Sequence, residues 1–257
     1  MKLACLCPTF NRPALLANSM ACFLAQSHSD RKLFILDDGG QYAGFDQNGI
    51  CLVSTETRFA SLPAKYRALS AMAEDWGADG IVIWDDDDIY MPQHLARIAA
   101  TLGEEGCDWC HPLCVWSTYT GEPVIESAVG RFWATAAMRM SPWQKMGGVP
   151  NTDRADFDQM FLGQARRLFG PPLSPVTGML DATFVFRWGS TGAPHSQSAI
   201  RDGGGDTEWY RRMGEVYVPL VGEVGPKFDQ DTLETLGKIA MLAGGTIGLP
   251  AVSDAAQ

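Results

Sequence analysis

Short apolar runs alternate with amphipathic stretches through the first half of the chain. The apolar runs predict buried strands at 3–7, 32–36, 50–54 and 80–84. Between and after them, apolar residues recur at helical spacing and predict helices at 14–26, 63–75 and 92–105. Strands that alternate with helices in this way predict an α/β fold with a largely parallel sheet flanked by helices.

The second half of the chain has a less regular pattern. It predicts strands at 107–116, 124–127, 131–140 and 180–188, and helices at 153–169, 207–214 and 232–242. Residues 189–205 form a long polar stretch, and residues 244–257 are rich in glycine and alanine with little charge, as in a flexible tail. We therefore expect one domain with two halves, 1–106 and 107–243, followed by a tail at 244–257.

Composition narrows the class of protein. The 257 residues are 46% hydrophobic and 19% charged, which is typical of a globular chain. The net charge of -10 disfavours nucleic acids and anionic membrane surfaces as partners. The 7 cysteines suggest no disulfide framework, and we find no signal peptide and no transmembrane segment. A cytoplasmic location is the expectation that follows.

One apolar run ends in four consecutive carboxylates, Asp85–Asp88. Open α/β sheets bind ligands at the carboxyl ends of their strands, so the acidic run marks a candidate site. A divalent cation would relieve the repulsion among these carboxylates, and oxygen ligands suit magnesium, manganese or calcium. If the strand stays extended, Asp85 and Asp87 point one way and Asp86 and Asp88 the other. The alternative is a solvated acidic turn.

Two further strand ends carry polar motifs. The sequence Pro-Thr-Phe-Asn-Arg occupies 8–12 after the first strand, and Leu-Asp-Asp-Gly occupies 36–39 after the second. No G-x-G-x-x-G follows the first strand, and the chain contains no G-x-x-x-x-G-K-[ST]. These absences argue against a dinucleotide-binding or P-loop enzyme.

Taken together with the acidic run, these motifs resemble the signature of family 2 glycosyltransferases. The continuation Ile-Tyr-Met-Pro at 89–92 is similar to the spore-coat polysaccharide glycosyltransferase type, and Gly147-Gly148 followed by Asp156 is similar to the second-half pattern of the family. The resemblance spans residues 3 to about 195. It implies the GT-A fold, a Rossmann-like α/β domain whose mixed, mostly parallel sheet binds the nucleotide sugar in the first half and the acceptor in the second.

The resemblance also implies roles for individual residues. Thr9 would contact the nucleotide, Asp38 the base or ribose, and Lys65 would lie near the diphosphate. In the Asp-x-Asp region, Asp87 is the metal ligand whether the motif is aligned on Asp85 or Asp86. The full implied set is Pro8, Thr9, Asn11, Arg12, Asp38, Lys65, Asp85 and Asp86 for the donor, and Asp87 and His195 for the metal.

The implied reaction is metal-dependent, inverting transfer of a sugar from a nucleoside diphosphate sugar to an acceptor hydroxyl. Uridine diphosphate is the expected nucleotide, Mn²⁺ or Mg²⁺ the expected cofactor, and a hexosyltransferase the expected type. Asp156 matches the catalytic base, although a helix-capping role for it, or Asp158 as the true base, is also open. The acceptor is open among a glycan, lipid-linked glycan, protein, small molecule and modified nucleobase.

Two other functions are compatible with an acidic strand end in an α/β protein. A nucleotidyltransferase also binds sugar nucleotides and a metal, but it would normally carry a glycine-rich basic loop after the first strand. Residues 8–13 contain no glycine. A non-catalytic module that binds a metal or a partner protein is the other alternative, since a fold alone does not determine function.

Overall fold

A computed structural model describes residues 1–118, 123–187 and 230–242. The predicted helix at 207–214, the loop containing His195 and the predicted tail at 244–257 lie outside the described residues. Within them, no helix is both long enough and apolar enough to cross a lipid bilayer.

The described residues form two sheets and six α-helices. The strands, in chain order, are β1 (Leu3–Thr9), β2 (Arg31–Asp37), β3 (Phe45–Gln47), β4 (Ile50–Ser54), β5 (Gly80–Ile83), β6 (Ile89–Tyr90), β7 (Trp109–Cys110), β8 (Cys114–Ser117), β9 (Val124–Ser127), β10 (Ala137–Arg139) and β11 (Phe184–Phe186). The helices are α1 (Pro13–Leu24), α2 (Leu62–Asp75), α3 (His94–Gly103), α4 (Met140–Met146), α5 (Phe157–Phe169) and α6 (Gln230–Leu242).

The larger sheet has the strand order β3-β4-β2-β1-β5-β10-β7. Its centre, β4-β2-β1-β5, is parallel, whereas β3 pairs antiparallel with β4 at one edge. Near the other edge, β10 pairs antiparallel with both β5 and β7. The expected mixed, mostly parallel α/β sheet is therefore confirmed.

The smaller sheet has the order β6-β11-β8-β9. Its strand β6 begins directly after the acidic run, so this run connects the two sheets. In the larger sheet, β1 is buried along its whole length and β5 likewise, which explains why both are continuous apolar runs. Helix α2 packs on β1 and β2, and it begins where the Ser61 hydroxyl accepts a hydrogen bond from the Ala64 N–H at 3.3 Å.

Several predicted boundaries in the second half were wrong. The apolar stretch 107–116 is two strands, β7 and β8, which belong to different sheets. Short 3₁₀ turns replace the beginnings of the strands predicted at 131–140 and 180–188, and only β10 and β11 are extended there. The helix predicted from 153 begins at Phe157. Most apolar residues in these stretches are buried, although Leu113 and Leu180 are exposed, and apolar composition does not distinguish a strand from a buried turn.

Candidate active site

Three neighbouring strands bring their carboxyl ends to one edge of the larger sheet. Strand β1 lies between β2 and β5 and is parallel to both, with Thr9 in register with Asp37 and Leu6 with Ile83. The motifs at 8–12, 36–39 and 85–88 therefore meet at this edge, as expected from the position of ligand sites in α/β sheets.

The acidic run does not continue as an extended strand. The chain bends at Asp86–Asp88 and returns as β6, which pairs with β11. The aromatic rings of Trp84 and Tyr90 close this bend at its base, stacked with their centroids 3.7 Å apart. The condition for the predicted alternation, an extended strand, is therefore not met: Asp85 and Asp87 lie together, but Asp88 joins them because the bend breaks the two-residue period of a strand.

The bend brings three carboxylates together. One oxygen atom each of Asp85, Asp87 and Asp88 lies within 4.8 Å of the other two. Asp85 also accepts a hydrogen bond at 2.7 Å from the hydroxyl of Tyr66, which projects from α2. Burial and the charge of Asp87 raise the pKa of Asp85 to about 7. The cluster is thus costly to keep fully ionised without a cation.

Asp88 is the most buried member of the cluster. Its Oδ1 accepts a hydrogen bond from the Arg187 N–H at 3.0 Å, whereas its Oδ2 is buried and has no hydrogen-bond partner among the described residues. Burial, and then the charge of Asp87, raise its pKa well above the usual range. A buried carboxylate oxygen without a donor fits a cation ligand, and an all-oxygen set suits Mn²⁺ or Mg²⁺.

Asp86 faces the loop that follows β1. Its Oδ2 accepts a hydrogen bond from Thr9 Oγ1 at 2.6 Å, and its Oδ1 accepts one from Arg12 Nη1 at 3.0 Å. The same Nη1 atom lies 2.7 Å from Oδ2 of Asp87. Burial would lower the pKa of Arg12, but the charges of Asp86 and Asp87 outweigh this effect and raise it. Arg12 therefore stays protonated between two carboxylates.

Asp38 is held by a second set of cations. Its Oδ1 lies 2.7 Å from Nζ of Lys65 and 2.6 Å from Nη1 of Arg58, and its Oδ2 accepts a hydrogen bond from the Phe59 N–H at 3.0 Å. Lys65 also donates to the backbone oxygen of Thr9 at 2.5 Å. Burial lowers the pKa of Lys65, although Asp38 opposes the shift. Lys65 thus joins the loops after β1 and β2.

Two further residues of the first motif shape these loops. Pro8 lies within β1, in register with Leu36 of β2. Asn11 has a φ angle of 52°, and its Oδ1 would lie 2.7 Å from a Cβ atom on residue 39. A side chain at 39 would therefore displace the Asn11 amide, at the point where the two loops touch.

Asp156 lies at the start of α5 and is exposed. Arg154 pairs with both of its oxygens, at 2.7 Å to Oδ1 and 2.6 Å to Oδ2, and lowers the pKa of Asp156 by these hydrogen bonds. Its side chain makes no capping hydrogen bond. Asp158, in the first turn, accepts a hydrogen bond from the Gln159 N–H at 2.7 Å. Both carboxylates are thus accessible.

A chain of contacts links Asp156 to the acidic cluster. Its neighbour Phe157 packs on the ring of Tyr66, with centroids 6.2 Å apart, and the hydroxyl of Tyr66 donates to Asp85. His195, the second metal ligand implied by the resemblance, lies outside the described residues.

Sequence reasoning missed three residues of the site. Arg58 binds Asp38 and stacks on the Phe10 ring, with 3.5 Å between the guanidinium carbon and the ring centroid. Tyr66 and Arg187 bind the acidic run. Nothing in the local pattern around Arg58 or Arg187 marks them. The sequence contains a weak indication of Tyr66, because this residue directly follows the candidate Lys65 on the same helix.

Comparison with known proteins agrees with this architecture. Residues 5–121 match the sequence profile of the family described as Glycosyl transferase family 2. No curated protein matches the chain at a significant level.

Solved structures show the same fold at low identity. The 1–349 fragment of S. aureus TarS is 13% identical, with a TM-score of 0.54 over 95% of this chain and 81% of that chain. The same fragment in complex with UDP is 14% identical, with a TM-score of 0.50 over 94% and 72%.

The mannosyltransferase PcManGT from Pyrobaculum calidifontis, in complex with GDP-Man and Mn²⁺, is 13% identical, with a TM-score of 0.53 over 94% of this chain and 85% of that chain. The motifs that meet at the sheet edge all lie inside the matched residues 5–121. Residues 5–121 therefore match the family 2 glycosyltransferase profile, and the chain has the GT-A fold of these solved structures.

Proposed function

We propose that this chain is a metal-dependent, inverting glycosyltransferase of the hexosyltransferase type. It transfers a sugar from a nucleoside diphosphate sugar, with uridine diphosphate as the nucleotide, to an acceptor hydroxyl. The observation that carries the proposal is the convergence of Asp85, Asp87 and Asp88 at the carboxyl end of β5, within a family 2 domain.

The donor would lie along the sheet edge. Thr9 and Asp86 already bind each other there at 2.6 Å, and Asp38 is fixed on the neighbouring loop by Lys65 and Arg58. Prearranged groups of this kind lower the entropy cost of ordering a bound nucleotide. Two proteins with the same fold have been solved with such ligands: S. aureus TarS in complex with UDP, and P. calidifontis PcManGT in complex with GDP-Man and Mn²⁺.

Asp85, Asp87 and Asp88 would hold the divalent cation. Bound there, Mn²⁺ or Mg²⁺ would offset the charge that develops on the departing diphosphate. The chain's own contribution is to hold its carboxylates in place: Tyr66 orients Asp85, the bend orients Asp87, and the Arg187 N–H orients Asp88.

Asp156 is proposed as the base that accepts the proton of the acceptor hydroxyl. Its low pKa keeps it ionised, and its exposure leaves it accessible to an acceptor. The contacts through Phe157 and Tyr66 connect Asp156 to the acidic cluster. Arg154 must release at least one carboxylate oxygen for this role, and the release costs little because ion pairs in contact with water are weak.

The first experiment measures donor and metal binding. Thermal unfolding of the wild type with UDP- and GDP-sugars, with and without manganese, should show a metal-dependent rise in Tm for one nucleotide. Asp87→Asn should lose this rise. Asp75→Asn is the matched control, because Asp75 is exposed at the far end of α2 from Tyr66. No stabilisation of the wild type by any nucleotide would refute the donor site.

The second experiment separates catalysis from binding. Asp156→Asn should reduce hydrolysis or transfer of the donor sugar by about 10²-fold or more, with donor affinity unchanged, because a general base contributes about 10²–10⁴-fold. Asp158→Asn is the matched control on the same helix turn and should retain activity. The reverse result would assign the base to Asp158. A protein that binds the donor but neither hydrolyses nor transfers its sugar would instead be a non-catalytic module. Formation of a nucleoside triphosphate and a sugar 1-phosphate when pyrophosphate is added to the donor would indicate a nucleotidyltransferase.

A further inference from the structure

Arg12 is the cation that the structure places closest to the acidic run on the side of the β1 loop. One of its nitrogen atoms, Nη1, lies 3.0 Å from Oδ1 of Asp86 and 2.7 Å from Oδ2 of Asp87. The side chain of Arg12 is 14% exposed, and those of Asp86 and Asp87 are 5% and 13% exposed. The ion pairs are thus largely shielded from water and are stronger than ordinary surface pairs.

Asp87 belongs to two sets of contacts. It pairs with Arg12, and it is also a member of the cluster with Asp85 and Asp88. A divalent cation bound by the cluster would stand beside the guanidinium and compete with it for the same carboxylate. Two cations at such short range repel each other, so binding of one weakens the binding of the other.

We propose that Arg12 is an exchangeable counter-ion. In the absence of metal it holds Asp86 and Asp87, and when a divalent cation and a nucleoside diphosphate bind together it transfers to the diphosphate. The inference rests on the proposed function and adds a residue that couples metal binding to donor binding.

The chemistry of the guanidinium favours this exchange. Its planar donors match the oxygens of a phosphate as well as those of a carboxylate, and it cannot escape by losing its proton. A diphosphate that shares the cation with Asp87 would lie next to Arg12 and supply the negative charge that the cation removed. Arg12 also immediately precedes α1, where Pro13 begins the helix, so its side chain can move without disturbing a helical turn.

Exchange has a thermodynamic signature. The cation alone must displace Arg12 from Asp87 without compensation, so its affinity is reduced. When a nucleoside diphosphate is present, the released guanidinium gains a new partner, and the two ligands bind cooperatively. A purely structural arginine would not produce opposite effects on the two ligands.

The test uses Arg12→Gln, which keeps a polar side chain and removes the charge. Manganese binding alone is measured by calorimetry, and UDP binding is then measured in saturating manganese, with GDP in its place if only GDP binds the wild type. We expect Arg12→Gln to bind manganese alone about fivefold more tightly, and to bind the nucleotide about tenfold more weakly.

Two further variants make the outcome decisive. Arg97→Gln is the matched control. Arg97 forms a partly exposed ion pair with Asp181, with 3.5 Å between Nη2 and Oδ1, and this pair does not involve the acidic run. Arg12→Lys keeps the charge, so its manganese affinity should stay near the wild-type value. This variant also tests the role of the charge if Arg12→Gln folds poorly. A change of both affinities in the same direction, or of neither, overturns the role of Arg12.

The experiment also distinguishes this inference from the proposed function. If the wild type binds manganese and nucleotide but Arg12→Gln shows no opposite shifts, only the exchange is refuted. If the wild type binds neither ligand, the proposed donor site is refuted and the exchange with it.

Discussion

Buried charge is concentrated in a few residues of this protein, and its energetic effect depends on how each charge is paired. Lys65 and Asp38 are 3% and 1% exposed and lie 2.7 Å apart, whereas Lys32 and Asp46 form a pair of the same length with Asp46 58% exposed. The buried pair has given up far more hydration, so the loss of one partner is expected to be far more costly.

Replacing Lys65 with methionine should therefore lower the free energy of unfolding by about 3–5 kcal/mol, since Asp38 would lose its buried partner and keep only Arg58, whose side chain is 45% exposed. Lys32→Met is the matched control and should cost less than about 1 kcal/mol. Urea denaturation of both variants measures the difference. Equal losses in the two variants would show that Arg58 alone is enough to balance the charge of Asp38. The double variant Lys65→Met/Asp38→Asn should then be no more stable than Lys65→Met.

His94 links the core to pH. It is buried against Trp84 and Tyr90, and burial lowers its pKa from about 6.5 to about 3. Between these two values the unfolded chain binds a proton that the folded chain does not, so the contribution of His94 to stability falls as the pH falls through this window.

The wild type should thus lose about 2 kcal/mol relative to His94→Asn between pH 7 and pH 5, because about 1.4 kcal/mol is lost per pH unit below 6.5. Denaturant unfolding of both proteins across this range gives the difference directly. A constant difference between them would show that the imidazole is protonated in the folded protein or reaches water.

At the residue scale, the sequence identified the acidic run but not its geometry. Adjacent carboxylates after an apolar run indicate a ligand site, and the cluster of Asp85, Asp87 and Asp88 lies there. An extended strand would have separated Asp88 from Asp85 and Asp87. The bend that brings them together depends on pairing of β6 with β11, which is distant in sequence. Arg58 could not be found for the same reason: its partner Asp38 lies in another loop.

At the scale of the elements, the pattern of apolar residues predicts the long, buried strands and helices. The strands β1, β2, β4 and β5 and the helices α1, α2 and α3 were predicted within a few residues, because continuous burial produces a continuous apolar run. The strands β3 and β6 have three and two residues, and β3 is partly exposed, so neither leaves a readable period.

The turn after α4 gives a test at this scale. Gly147 has a φ angle of 78°, and a Cβ atom added there would meet nothing within 4 Å. Gly148 has a φ angle of 67°, and a Cβ atom there would lie 3.1 Å from Nε1 of Trp143. That Nε1 atom donates to Ser70 of α2 at 2.6 Å. Alanine is strained by its φ angle at both positions, but only at 148 does it also press on a buried contact between two helices.

Gly147→Ala should lower stability by about 1–2 kcal/mol, the cost of a left-handed residue. Gly148→Ala should cost at least about 1 kcal/mol more, since Trp143 must shift. Thermal unfolding of the two variants side by side checks the order. The opposite order would mean that Trp143 moves freely and that its bond to Ser70 contributes little.

At the scale of the whole molecule, the larger sheet is completed by two strands from the second half, β7 and β10. The family match ends at 121, but β10 at Ala137–Arg139 lies between β5 and β7. Sequence patterns could not predict this insertion, because antiparallel pairing of a three-residue strand with β5 is set by packing. Trp133, just before β10, also packs on Tyr66 with ring centroids 5.6 Å apart.

A fragment of residues 1–121 should therefore fail to fold cooperatively, since it exposes the edge of β5 and the apolar side of Tyr66. Circular dichroism during thermal unfolding, with the full chain as the control, measures this. A sharp transition in the fragment would establish the matched region as an independent folding unit.

The position of β10 also bears on how the protein is made. About 50 residues separate β5 from its antiparallel neighbour along the chain. At a synthesis rate of about 5–20 residues per second, the ribosome needs on the order of 3–10 s to supply them. During that interval β5 has an unpaired edge and β6 still lacks its partner β11, so residues 1–106 cannot reach their final form before the second half is translated.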